Sequence, residues 1–187
     1  VIGDVRLVVL SETDAKRFYL FGGVPYFAAG TVYADGERIV CEQATQDLTG
    51  ACALQQSERQ KLPYGYYLYS TGKRAYYTLR LPKDVLKDRF DVRLTFQFDG
   101  LNLQVFSGDT LVNDSFNIDG RFDMHLRDFR AYLEKSPVLT IRAVPRTKVG
   151  ISHVYCEKPI PLHETRLRLL SAEVITRSEG TLQAPPQ

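Results

Sequence analysis

The sequence predicts an all-β protein, an antiparallel β-sandwich of the jelly-roll kind with one or two short connecting helices. Three observations carry that prediction. Apolar and polar residues alternate in short runs along most of the chain, Gly-containing turns separate the runs at intervals of about 8–12 residues, and a helical period surfaces in only two places.

Taken in order, alternation marks strands at residues 5–10, 31–33, 38–41, 51–55, 66–69 and 75–81. It continues at 92–99, 101–107, 110–116, 123–126, 138–144, 149–157 and 165–176. Turn residues stand between them: Asp35-Gly36, Gly72-Lys73, Asp99-Gly100, Gly108-Asp109 and Asp119-Gly120. Glycine reaches positive φ without steric cost, and Asp bonds its own backbone, so both suit tight reversals. Within the best-patterned stretch, Phe96, Phe98, Leu103, Val105, Leu111, Phe116 and Phe122 are expected to form the inward face. Residues 82–87 read as one helical turn opened by Pro82, and 128–135 as another, with Phe129, Tyr132 and Leu133 at helical spacing before Pro137. Residues 1–177 are expected to form a single sandwich module, and 178–187, ending Ala-Pro-Pro-Gln, a linker stub or flexible tail.

Composition narrows the class. The chain has 187 residues, 44% hydrophobic and 25% charged, which is enough to bury a core. Its 24 Lys and Arg against 22 Asp and Glu leave a formal charge of +2 with both signs scattered, so nucleic acid is not an expected partner. No apolar run approaches the ~20 residues that a membrane-spanning helix needs, and no membrane partner is expected. The start at Val1 is read as the edge of an excised domain. Cys41, Cys52 and Cys156 lack the close pairing of zinc ligands, so no metal or other cofactor is expected. Cys41 and Cys52 lie on segments that read as two arms of one hairpin, compatible with a disulfide or with reduced thiols.

The stretch from Asp91 to Phe129 carries a more specific pattern: Asp99-Gly100, Leu103, Val105, Gly108, Leu111-Val112, Asp114, Phe116, Asp119-Gly120-Arg121, Phe122 and Leu126. It resembles the C-terminal β-sandwich region of bacterial family-35 glycoside hydrolases, the β-galactosidase family. In that family the catalytic glutamates lie on a (β/α)₈ barrel, of which this chain has no trace. The resemblance therefore implies a non-catalytic accessory module of a secreted or periplasmic enzyme, one that binds carbohydrate or braces the catalytic domain. Its expected partners are a polysaccharide or oligosaccharide and the catalytic domain of the same parent chain. The rival expectation is a small autonomous jelly-roll enzyme such as a polysaccharide lyase, with Tyr and His as acid and base.

Sugar recognition calls for aromatic faces and hydrogen-bonding groups. If the module binds sugar, Tyr64 and Tyr66 are the expected platform, since Pro63 and Gly65 interrupt regular pairing there while Tyr67 points inward; a strand's period of two alternatively sends Tyr67 and Tyr69, or Tyr66 and Leu68, into the core. Asp119 and Arg121, close to Asp114 and Asp123, supply groups for sugar hydroxyls. Turn chemistry explains the same aspartates without a ligand. His125, His153 and His163 are dispersed and read as surface or packing residues.

Overall fold

The computed structural model describes residues 9–62, 73–116, 120–145 and 165–181. It is an antiparallel β-sandwich with short helices. The strands are β1 (Phe18–Phe21), β2 (Val24–Phe27), β3 (Thr31–Asp35), β4 (Arg38–Asp47), β5 (Ala53–Ser57) and β6 (Ala75–Arg80). They continue with β7 (Asp91–Asp99), β8 (Asn102–Ser107), β9 (Thr110–Phe116), β10 (Arg121–His125), β11 (Val138–Val144) and β12 (Arg166–Thr181). One five-stranded sheet has the order β10-β7-β12-β4-β3, a second β5-β6-β11-β8-β9, and β1 and β2 form a separate hairpin. The helices are single turns: α1 (Glu12–Ala15), α2 (Arg130–Leu133) and the 3₁₀ turns Thr49–Ala51 and Leu126–Phe129.

The chain divides into two compact units, one made of residues 46–174 and the other of 1–45 with 175–187. In the 46–174 unit, alternate residues of each strand meet in one core, as the period of two requires. Leu79, Leu103, Val105, Leu139, Ile141 and Ala143 come from one sheet and Val92, Leu94, Phe96, Phe98, Phe122 and Met124 from the other, all buried. Phe96 pairs with Phe122 across β7 and β10, and their rings stack with centroids 5.9 Å apart. At the β7–β8 turn a Cβ on Gly100 would stand 2.3 Å from the Phe98 ring, so the turn needs glycine. In the 1–45 and 175–187 unit, Val32, Ile39, Val40 and Ile175 are buried. Arg38 and Arg177 both bind Glu179, at 2.9 Å each.

Several expectations are corrected. Phe116, placed on the inward face, is 46% exposed, and Leu111 is half-buried. The cause is register: Val105 faces Asn113 while Phe106 faces Leu111, so Val112 is an extra residue, a β-bulge. The bulge puts Leu111, Asp114 and Phe116 on one face, opposite Phe106, Gln104 and Asn102, away from the core; Val112 packs against the core instead. Residues 82–87 form turns rather than a helix, with Asp84 and Asp88 at φ 59° and 54°. A left-handed residue stops helical propagation, and Asp tolerates it better than most.

Cys41 and Cys52 are free thiols. They are not arms of one hairpin, because β4 pairs with β3 and β5 with β6. The last strand runs to Thr181, so residues 178–181 of the expected tail are strand. The helical expectation for 128–135 corresponds to the 3₁₀ turn Leu126–Phe129 followed by α2. The strand expectations at 66–69 and 149–157 lie outside the described residues, as does most of that at 5–10.

Candidate functional site

Gly108, at φ 54°, turns the chain in a two-residue loop between Ser107 and Thr110, and this hairpin sets β8 beside β9. Along the pair, side chains on the face away from the core run Asn102 opposite Phe116, Gln104 opposite Asp114 and Phe106 opposite Leu111. All of these except Phe106 border a cavity of about 150 Å³ lined by Leu101, Asn102, Gln104, Leu111, Asp114, Phe116 and Val144. An aromatic ring, a carboxylate and two primary amides thus share one concave surface.

The amides are held rather than free to turn. Gln104 is 97% buried, because only 3% of it is exposed, and its Oε1 accepts a hydrogen bond from Arg142 Nε at 2.7 Å. Arg142 sits opposite Gln104 on β11, with its guanidinium 5.0 Å from the centroid of the buried Phe106 ring, a cation–π contact. Asn102 Nδ2 donates to the Ser115 carbonyl at 3.1 Å. Asp114 is exposed at the rim.

A larger cleft of about 510 Å³ lies between the 83–87 turn and α2, with Val85, Leu86, Leu133 and Pro137 as apolar lining and Lys83, Lys87, Glu134 and Lys135 at its edge. Arg130 in this cleft is committed to main-chain carbonyls, donating to those of Leu86 at 3.0 Å and Arg89 at 3.1 Å. That pattern fastens the turn. No aromatic ring is among its described lining residues.

The sheet containing β7 and β10 carries a polar face. Asp123 accepts from the Thr95 hydroxyl at 2.7 Å and from Arg121 Nε at 3.1 Å, and Arg93 pairs with Glu173 at 2.6 Å. Burial pushes the Asp123 carboxyl up, but the Thr95 hydroxyl and the guanidinium groups of Arg121 and Arg93 outweigh it and hold the group below the ordinary carboxylate value. Asp91 is fully buried; its Oδ1 accepts from the Val92 and Arg127 amides at 2.7 and 2.9 Å, and its Oδ2 lies 2.6 Å from His125 Nδ1. With two of its bonds going to backbone N–H groups, Asp91 fastens the chain where β10 passes into the 3₁₀ turn.

Of the residues expected to bind sugar, Tyr64, Tyr66 and Asp119, with Tyr67, lie outside the described residues. Arg121 is exposed on β10, paired with Asp123, in the sheet opposite the β8–β9 cavity. It does not join that cavity. The residues that do, Asn102, Gln104, Asp114 and Phe116, came from the same stretch that carried the family resemblance. Only the bulge at Val112 turns them outward together, and a bulge leaves no mark in a pattern of alternation.

Among the described residues no cluster of His, Cys, Asp and Glu is placed to hold a metal ion. No helix among them is long and apolar enough to cross a membrane. Comparison with family models, curated proteins and solved structures finds no match for this chain.

Proposed function

We propose that the chain is a non-catalytic, carbohydrate-binding β-sandwich, an accessory module of a carbohydrate-active enzyme, and that it binds sugar in the β8–β9 cavity. The observation that carries this reading is Phe116, a large aromatic ring left 46% exposed beside a carboxylate and two anchored amides. A ring face accepts the C–H surface of a pyranose, while amides and carboxylates answer its hydroxyls. The resemblance to the sandwich region of family-35 glycoside hydrolases supports the accessory role, with the catalytic domain of a parent chain as the second partner.

Affinity electrophoresis of the protein through gels containing β-1,4-galactan, xylan or polygalacturonate tests the reading. Retardation by at least one polymer, reduced in Phe116→Ala, is the expected result. Loss of this one ring should weaken binding by about 0.5–1.5 kcal/mol. Unretarded migration in every gel leaves the bracing role and removes the sugar-binding one.

A further inference from the structure

The cavity's donors and acceptors are assigned by their neighbours. Arginine is only a donor, so the Gln104 atom that meets Arg142 Nε must be the amide oxygen. The Gln104 Nε2 group then makes no hydrogen bond to the protein among the described residues, although the side chain is 97% buried and borders the cavity. Asn102 is fixed in the opposite sense: its nitrogen is taken by the Ser115 carbonyl, which leaves Oδ1 as the outstanding acceptor. Asp114, directly across the ladder from Gln104, is acceptor-only when ionised and is the charged group among the described lining residues.

We infer that Arg142, acting through Gln104, makes this cavity selective for neutral sugars that carry two adjacent hydroxyls, one accepting from the Gln104 amide and its neighbour donating to Asp114. The inference rests on the sugar-binding reading above. Side chains directly opposed on an antiparallel pair have Cβ atoms about 4.5–5.5 Å apart, a spacing that lets one amide and one carboxylate address hydroxyls on neighbouring ring carbons. Each hydroxyl of such a pair can donate and accept, so one diol satisfies both protein groups. A uronate brings its own carboxylate toward Asp114 and meets repulsion there, while the nearby cation, the Arg142 guanidinium, is engaged with Gln104 and stands outside the lining. Arg142 is thus a positioning residue: its guanidinium is buried behind Gln104 and sets which end of the amide the ligand meets.

The test compares the wild-type chain with Gln104→Glu, Asp114→Asn and Phe116→Ala in gels containing β-1,4-galactan, xylan or polygalacturonate, with urea denaturation of each variant. Gln104→Glu keeps shape and an oxygen for Arg142 but replaces the donor by an acceptor. It should lose at least about tenfold in affinity for the neutral polymers while its urea midpoint holds or rises. Asp114→Asn should narrow the preference for neutral polymers over polygalacturonate. Phe116→Ala should weaken all binding alike. If Phe116→Ala weakens binding but Gln104→Glu does not, or if the wild-type chain prefers polygalacturonate, the sugar site stands and the diol inference falls. If no polymer retards the wild-type chain, both fall. Should Gln104→Glu unfold at lower urea, Gln104→Met, which lacks any donor and cannot charge, replaces it under the same criterion.

Discussion

Two phenylalanines in neighbouring stretches of alternating sequence meet opposite environments, Phe96 with no exposure and Phe116 with 46%. Truncating Phe96 leaves a cavity among Phe98, Phe122 and their neighbours, and Phe96→Ala should cost about 3–5 kcal/mol in urea denaturation. Phe116→Ala removes a ring that solvent already reaches and should change stability by no more than about 0.5 kcal/mol. Equal losses in the two variants would refute the outward register of β9. Asp123 offers a test of charge at the same scale. Its carboxyl is held below the ordinary value of 3.8, so the bonds from Thr95 and Arg121 stabilise the ionised form. Their contribution is fully present above that value and is lost as the pH falls through the depressed folded value. In Asp123→Asn this part of the acid loss should vanish, seen as a shallower fall of the urea midpoint between about pH 5 and pH 2. The Cys52 thiol is pushed up by burial, and Asp47 adds to the shift. Alkylation of Cys52 by iodoacetamide near pH 8 should therefore run slower than that of a cysteine in a short unstructured peptide, as followed by peptide mass spectrometry.

At the scale of elements, β6, β7, β8 and β11 were legible because each carries an uninterrupted apolar face and ends at a turn residue. The β1–β2 hairpin was equally written in the chain yet passed unread: Gly22 and Gly23, at φ 56° and 80°, stand between Phe-Tyr-Leu-Phe and Val-Pro-Tyr-Phe. Paired glycines between apolar runs are a recognised hairpin signature. What could not be read was register. The alternation in β9 places Leu111 and Phe116 correctly only when Val112 is taken out of the count, and that depends on how β9 meets β8 rather than on β9 itself. The turn at 82–87 failed for a similar reason, since Pro82 fits a helix start but left-handed Asp84 forbids the next turn. The candidate site inherits both lessons: its residue types were visible in the sequence, its grouping was not. The junction held by Asp91 shows how much one side chain fixes. Asp91→Ala strands two amides and should cost about 1–3 kcal/mol, whereas Asp91→Asn retains an oxygen for Val92 and Arg127 and should cost less, a ranking that chemical denaturation checks.

Across the whole molecule, the two units are threaded unequally. Residues 46–174 form one uninterrupted stretch, whereas the other unit draws on 1–45 and on 175–187. Strand β12, at 16 residues, supplies Leu167, Ala172 and Val174 to the core of the first and Ile175, Arg177 and Glu179 to the second. Arg38 finds its carboxylate partner 141 residues further along the chain. A chain made from its N-terminus at ~5–20 residues per second therefore has every residue of the 46–174 unit before Arg38 can meet Glu179. The β1–β2 hairpin segment thus emerges well before the strand that completes its unit, with the exposed Leu20 and Phe27 open to any chaperone at the exit. Arrest of synthesis shortly after Val174 emerges should yield nascent chains in which 46–174 resists protease and 1–45 does not.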